Sequence, residues 1–228
     1  ISPDETLKIV QELYEKKLVT YPRTDARVLS TAAAKEIYKN ISGLRNYEHT
    51  AEIAQHIIEQ GNYKNLAKTR YVNDKQITDH YAIIPTGQGV GALKGLPNLS
   101  QRVYDVIVRR FLSIFYPPAV YQKVSIVTKI KEESFFSSFK VLAEEGYLKV
   151  TGVPGRKNDN NDNTDSTEDK DTDAAFFARI QSLKKGMTLP VQSLDIKEGK
   201  TSPPKRYNSG SLILAMENAG QLIEDEEL

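Results

Sequence analysis

Apolar residues recur at helical spacing near the start of the chain: Ile9, Val10, Leu13, Tyr14 and Leu18 fall on one face. Ahead of them, Ser2-Pro3-Asp4-Glu5 predicts a helix start, with Ser2 as cap, Pro3 at the first helical position and Glu5 completing a capping box. Lys16 and Lys17 suit the negative end of that helix dipole. A short β-prone run, Leu18 to Tyr21, follows with almost no connector. Pro22 lacks an amide hydrogen and stops regular pairing, and it biases Tyr21 towards an extended backbone. Tyr21 is therefore expected where strand gives way to loop, held by a packed helix.

Further along, Ser30 predicts the cap of a helix running to about Lys39, and a second helix is expected from Tyr47 to Glu59, with Gly61 beyond its end. Ala82 to Ile84 read as a buried segment anchoring His80 and Thr86 at its two ends. Residues 87 to 98, with four glycines and Pro97, read as a loop or hinge. Ser100 is expected to cap an amphipathic helix to about Phe115, with Val103, Ile107, Phe111 and Ile114 on one side and Pro117-Pro118 as its stop. From Ala119 the period changes. Val120, Val124, Ile126, Phe135, Phe139, Val141, Tyr147 and Val150 sit in alternating, β-branched or aromatic runs, which predicts antiparallel β.

Residues 152 to 173 are an Asn/Asp/Thr/Ser segment with too little apolar surface to order itself, and are expected to form a flexible insertion between strands. Met187 to Lys200 alternates loosely again. Thr201 to Tyr207 is an extended basic segment, and Asn208-Ser209 cap a last helix from Leu212 to about Ala219, with Gly220 as its stop. The expected class is thus α+β. A helical region, 1–98, carries Tyr21; residues 99–200 form a helix plus antiparallel β; residues 201–228 begin another helical region, whose Glu-Asp-Glu-Glu-Leu ending reads as cut off.

Composition narrows the chemistry. The chain has 228 residues, 39% of them hydrophobic and 27% charged, which suits a globular protein with a real core. It has no cysteine, which excludes a disulfide scaffold, cysteine-ligated zinc and thiol catalysis. No apolar run is long enough to span a bilayer, and no signal-peptide pattern opens the chain. The net charge of +1 hides a segregation: residues 158–173 hold seven acids and one base, a local −6 that leaves +7 elsewhere. A polyanionic partner is compatible with that balance.

The candidate chemistry gathers at Tyr21 and Arg23, a phenol and a planar guanidinium two residues apart. An arginine fork suits phosphate oxygens. A phenol of ordinary pKa is ionised in only about one molecule per thousand at neutral pH, so its attack on a phosphodiester needs cationic help. Arg23 and a protonated His80 are candidates to supply it. On residue types alone, the favoured reading of Tyr21 at a strand end and of His80 at a strand–turn junction is structural. His49 and His56 read as surface histidines, and no metal site is expected. The glycines of 87–95 lack the Gly-Lys-Ser/Thr ending of a phosphate loop.

Four blocks in one order change the weighting. They are Leu18-Val19-Thr20-Tyr21-Pro22-Arg23-Thr24-Asp25, Ile77 to Thr86, the helix-then-proline block Val103 to Ala119, and Thr201 to Leu228. Together they resemble the type IA DNA topoisomerases, more closely the topoisomerase III branch, over nearly the whole chain except the acidic insertion. The resemblance implies a tyrosine-bearing helical domain attached to an antiparallel β arch, part of a toroidal enzyme. It implies that Tyr21 is the nucleophile forming a 5′-phosphotyrosine link to one DNA strand, Arg23 the arginine on the scissile phosphate, and His80 the histidine near it. Thr24, Asp25, Thr86, Lys205 and Arg206 fall in the matching blocks as DNA contacts, the last two as a weaker inference. Ala26 stands where the family often has serine, and Tyr81 where this branch often has a second histidine.

The family also carries an N-terminal Toprim domain whose acidic residues bind Mg²⁺. None of those residues matches here, so the chain resembles a central fragment whose Mg²⁺ ligands lie elsewhere and which is expected to be inactive in relaxation alone. Single-stranded DNA, the missing Toprim domain and a cytoplasmic, nucleoid-associated setting are the implied partners and location. Two other readings remain open at this stage: a non-catalytic single-stranded DNA-binding module, and a tyrosine recombinase, which would carry its tyrosine late in the chain.

Overall fold

A computed structural model describes residues 1–152, 180, 182–193 and 198–219. The chain divides into two units, Ile9–Ser182 and a second made of Ile1–Lys8 with Leu183–Leu228. The fold is α+β. In order, the elements are α1 (Pro3–Glu15), α2 (Thr31–Gly43), α3 (Ala51–Gln60), α4 (Asn98–Ser113), β1 (Val120–Ile130), β2 (Glu133–Glu144), α5 (Leu148–Thr151) and α6 (Ser209–Glu217). Short 3₁₀ turns lie at Leu44–Asn46, Glu48–Thr50, Asn62–Lys68, Asp74–Gln76 and Val90–Gly95.

The core of the larger unit is built from the inner faces of α1 to α4 and the loops between them. Leu13, Leu18, Ile37, Ile41, Leu44, Ile57, Tyr104, Val108 and Leu112 are all sealed from solvent. Two histidines of the sequence sit outside it. His49 lies in a 3₁₀ turn, stacked on Tyr47 and exposed, and the helix expected from Tyr47 begins only at Ala51. His56 is exposed on α3.

The helix starts are where short-range chemistry places them. The Ser2 hydroxyl accepts from the Glu5 amide at 3.1 Å, and the Ser30 hydroxyl accepts from Ala33. The α2 helix runs one turn past Lys39, to Gly43. Asn208 and Ser211 form a reciprocal capping box on α6, which therefore begins at Ser209 and not at Leu212.

Three expectations are overturned. Ser100 does not cap α4: the helix begins at Asn98, directly after Pro97, whose fixed φ already sets the entry. Ser100 is instead buried within the first turn, and its hydroxyl donates to Glu12 Oε2 at 3.3 Å. The same helix closes at Ser113, two residues short of Phe115. Tyr147 and Val150 are not in a strand. Gly146 adopts φ +50°, and a Cβ there would lie 2.4 Å from the Pro118 carbonyl oxygen. That close approach turns the chain into α5, which buries Leu148 and Val150. A short apolar run does not distinguish strand from buried helix by period alone. Finally, the described part of Met187–Lys200 contains no strand.

The β prediction is otherwise met by one long hairpin. The β1 and β2 strands pair antiparallel from Tyr121↔Leu142 to Ile130↔Glu133, with an irregularity at Val120. Lys131 takes φ +55° in the two-residue turn, the left-handed conformation such a turn demands. The acidic insertion (beyond Gly152), Leu194, Ile196, Gly220 and the acidic C-terminal run lie outside the described residues.

Candidate active site

The tyrosine loop is launched by the way α1 ends. Lys17 takes φ +61°, the Leu18 amide donates to the Leu13 carbonyl (2.9 Å), and the Lys17 amide donates to the Tyr14 carbonyl (2.8 Å). This is a Schellman turn made without glycine, closed by the sealed pair Leu13 and Leu18. The helical spacing of Leu18 thus reflects the turn's apolar clasp, not a further helical residue. The chain reverses out of α1 directly into Val19, Thr20 and Tyr21.

What receives it is the histidine segment, 77–88. The Thr20 amide donates to the Ile84 carbonyl (3.0 Å), and the Thr86 amide donates to the Leu18 carbonyl (3.0 Å), with Val19 bridging Pro85 antiparallel between them. The Thr20 hydroxyl fills the next position, accepting from the Ile84 amide (2.9 Å) and donating to the Ala82 carbonyl (3.4 Å). Pro22 has no N–H to continue the ladder, and it is buried. One residue past Arg23, the Thr24 hydroxyl restores the link, donating to the His80 carbonyl (2.7 Å) and accepting from Ala26 (3.0 Å). The Asp25 carboxylate accepts from the Thr78 hydroxyl (3.4 Å). The sequence pairs a β-prone run with a small apolar segment more than fifty residues away, and the polar ties at both ends fix their register.

The far end of the histidine segment is anchored on α2. The Asn40 side-chain amide donates to the Pro85 carbonyl (2.8 Å). Gly87, at φ +79°, packs so closely that a Cβ on it would meet the Asn40 carbonyl oxygen at 2.6 Å. The Thr86 hydroxyl donates to the Lys17 carbonyl and accepts from the Gln88 amide (3.0 Å). Thr86 therefore joins the histidine segment to the Schellman turn.

Tyr21 is half-buried, with its ring against two others. The His80 ring lies 4.5 Å away centroid to centroid, tilted 47°, and the Tyr14 ring meets it edge-on at 5.4 Å and 80°. The three rings line an open cleft of about 550 Å³ together with Glu15, Lys17, Thr20, Tyr81, Thr86 and Gln88. Arg23 is exposed and lines a second cleft, about 290 Å³, with Thr24, Asp25, Thr78, Asp79 and His80. His80 is the residue common to both. Ala82 and Ile83 are only half-buried, and Ile84 is buried as expected.

Tyr21, Arg23, Thr24, Asp25, His80 and Thr86 are thus brought together. Lys205 and Arg206 lie in the smaller unit, on an exposed segment without regular secondary structure ahead of α6. Sequence reading missed Tyr14 and Thr20. Tyr14 was assigned to the apolar face of α1, yet it is 39% exposed and faces the cleft. Its signal is its place in the last turn of α1, beside the closing glycine-free turn.

Mg²⁺ takes an octahedral set of oxygens drawn from carboxylates and water. Among the described residues no group of three His, Asp or Glu side chains is placed to hold a metal ion. Asp25 is engaged with Thr78, and Asp25 and Asp79 share their cleft with the Arg23 cation. The residues present do not fit a Mg²⁺ site, and no step below passes through one. Among the described residues no helix is long and apolar enough to cross a membrane.

Comparison with known proteins places the chain in a family. The family model described as DNA topoisomerase matches residues 1–221. The chain is 36% identical over 227 residues to DNA topoisomerase 3 of Bacillus licheniformis, covering 99% of this chain and 29% of that protein. It is 33% identical over 227 residues to DNA topoisomerase 3 of Bacillus subtilis, and 31% identical over 229 residues to that of Bacillus cereus, with the same coverage. The chain spans about 29% of the length of these relatives.

Proposed function

The chain belongs to the DNA topoisomerase family, in its type IA, topoisomerase III branch, and from that premise we propose that it carries the strand-cleaving tyrosine of such an enzyme. The observation that carries the proposal is the Tyr21 phenol, half-buried in an open cleft against His80, with Arg23 in the adjoining cleft. Residues 1–98 are the tyrosine-bearing domain, 99–200 the helix and β arch of a torus, and 201–228 the start of a DNA-binding domain to which Lys205 and Arg206 contribute.

The reaction is a transesterification on single-stranded DNA. The Tyr21 oxygen attacks the phosphorus and loses its proton. The bond from phosphorus to the 3′-oxygen breaks, and that oxygen leaves as a hydroxyl after taking a proton. The 5′-phosphate stays on Tyr21. Bond count and charge are conserved, so the reverse reaction reseals the strand without a nucleotide cofactor. Arg23 and a ring N–H of His80 offset charge on the non-bridging oxygens as the pentavalent state forms. Thr24 and Asp25 hold the loop to the histidine segment, and Thr86 ties that segment to the end of α1.

Proton acceptance from the phenol and proton donation to the 3′-oxygen need groups beyond Arg23 and His80. We therefore expect residues 1–228 alone not to relax supercoiled DNA, and place those groups, with the Mg²⁺ site, in a Toprim domain. The setting is the cytoplasmic DNA of a bacterial-type cell.

The deciding experiment uses the full-length protein and a single-stranded oligonucleotide labelled on the side that becomes linked. Tyr21→Phe should leave binding within about twofold and remove the covalent adduct on a denaturing gel. An adduct that survives Tyr21→Phe refutes the assignment. Salt-sensitive binding with no adduct from either protein would favour a DNA-binding module.

A further inference from the structure

Tyr14 has no task in that mechanism, and its position is unusual for a residue of the apolar face. It stands in the last turn of α1, and its carbonyl accepts the Lys17 amide that closes the Schellman turn. Its side chain is 39% exposed, where Val10 and Leu13 on the same helix are buried. Its ring leans into the cleft and meets the Tyr21 ring edge-on. Edge-to-face contact sets the orientation of both rings, because the positive edge of one seeks the negative face of the other.

Tyr21 has few other restraints on its ring. The hydrogen bonds of its neighbourhood belong to Thr20 and Thr24, and they fix the backbone on either side. Among the described residues, the rings that contact it are those of Tyr14 and His80.

We propose that Tyr14 is a positioning residue: its ring, together with that of His80, holds the Tyr21 phenol in the direction of attack. The inference rests on Tyr21 being the nucleophile. In this role Tyr14 acts through the Tyr21 ring and not on the transferred phosphate. A misplaced nucleophile is costly even when binding is unchanged, since a shift of about 1 Å can lower a rate on the order of a hundredfold.

The test is single-turnover cleavage of a single-stranded oligonucleotide by the full-length protein, with Tyr14→Phe, Tyr14→Leu and Tyr21→Phe. Phe keeps the ring and loses the hydroxyl. Leu keeps apolar bulk and loses the ring. Tyr14→Phe should cleave at the parent rate within about threefold. Tyr14→Leu should lower the cleavage rate at saturating DNA by roughly ten- to a hundredfold, with the dissociation constant unchanged. Equal rates for Phe and Leu would overturn the proposal, since bulk alone would then suffice. So would a Leu defect confined to DNA affinity or tracking a lower melting temperature. Tyr21→Phe separates the two readings. If it still forms adduct, the nucleophile is wrongly assigned; if it is inert while Tyr14→Leu is at the parent rate, only the positioning role fails.

Discussion

Replacing Thr20 with valine tests whether one hydroxyl fixes the register of the tyrosine loop. Valine matches threonine in shape, so packing is nearly unchanged and the hydroxyl alone is removed. That hydroxyl accepts from the Ile84 amide at 2.9 Å and donates to the Ala82 carbonyl at 3.4 Å. The shorter bond matters more. Ile84 is 6% exposed, so its amide hydrogen has little access to water once the acceptor is gone. An unmet buried donor costs about 1–3 kcal/mol, against roughly 0.8 kcal/mol regained by the added methyl in apolar surroundings. The net loss is about 0.2–2.2 kcal/mol, with about 1 kcal/mol at its middle.

For a unit of this size, each kcal/mol lowers the melting temperature by about 2–4 °C, so a loss of about 1 kcal/mol in Thr20→Val should lower it by roughly 2–4 °C. Amide exchange localises the effect. Protection of the Ile84 amide should fall by about fivefold, the same energy expressed as an opening equilibrium. Thr20→Ser keeps the hydroxyl and should retain that protection. If valine and serine variants melt together and exchange alike at Ile84, the hydroxyl does not hold the register and the reasoning is wrong.

Other outcomes follow from single contacts. Gly87→Ala combines a left-handed φ with a Cβ 2.6 Å from the Asn40 carbonyl oxygen, so it should destabilise by more than 2 kcal/mol, about the upper end of the left-handed cost alone, in urea unfolding. The Thr31 hydroxyl, and then its amide, hold the Asp74 carboxyl below the usual range. Being depressed in the folded state, that group stabilises the start of α2 above the ordinary carboxylate pKa and loses this as pH falls through the folded value. Asp74→Asn should abolish the acid dependence of amide exchange at Thr31. Burial, aided by the Asp105 charge, raises the Tyr47 phenol, and burial raises that of Tyr104. Both are neutral when folded, so their stabilisation is intact below about pH 10, the unfolded value, and is lost as pH rises beyond it towards the folded values. Ultraviolet titration should show two phenols ionising only with unfolding; early, reversible ionisation of all twelve tyrosines in the folded protein would contradict this.

The parts of the fold legible in the sequence are those set by neighbours in the chain. Caps at Ser2, Ser30 and Asn208 follow from short side-chain acceptors near free helix amides. The break at Pro22 and the long hairpin after Ala119 follow from a missing donor and a period of two. The misreadings share a different cause. Lys17 and Lys131 adopt left-handed φ although neither is glycine, so the turns they make carry no compositional mark. Val150 is buried by α5 because Gly146 brings the chain against Pro117 and Pro118, a contact between distant residues. Thr20 looked like any strand threonine, since its partner Ile84 is set by tertiary register. Tyr14 looked like core because helical period shows which face is apolar and not where that face ends.

The two clefts add a constraint that residue spacing did not contain. Tyr21 and Arg23 are two apart, and in an extended chain they would project from the same side. Pro22 between them is buried, and the loop instead directs Tyr21 to one cleft and Arg23 to the next. On the proposed assignment, a phosphate attacked by Tyr21 and held by Arg23 would lie across the shared wall, which is His80. On this argument the histidine has two separable duties. Its ring bounds the phenol together with Tyr14, and it faces the phosphate where the two clefts meet. The Thr24 hydroxyl on the His80 carbonyl links both duties to the tyrosine loop, because it ties the wall to the chain that carries Tyr21 and Arg23. The site's precision thus resides less in the Tyr-Pro-Arg sequence than in the threonines at its ends, Thr20 and Thr24, which bind that loop to one distant segment.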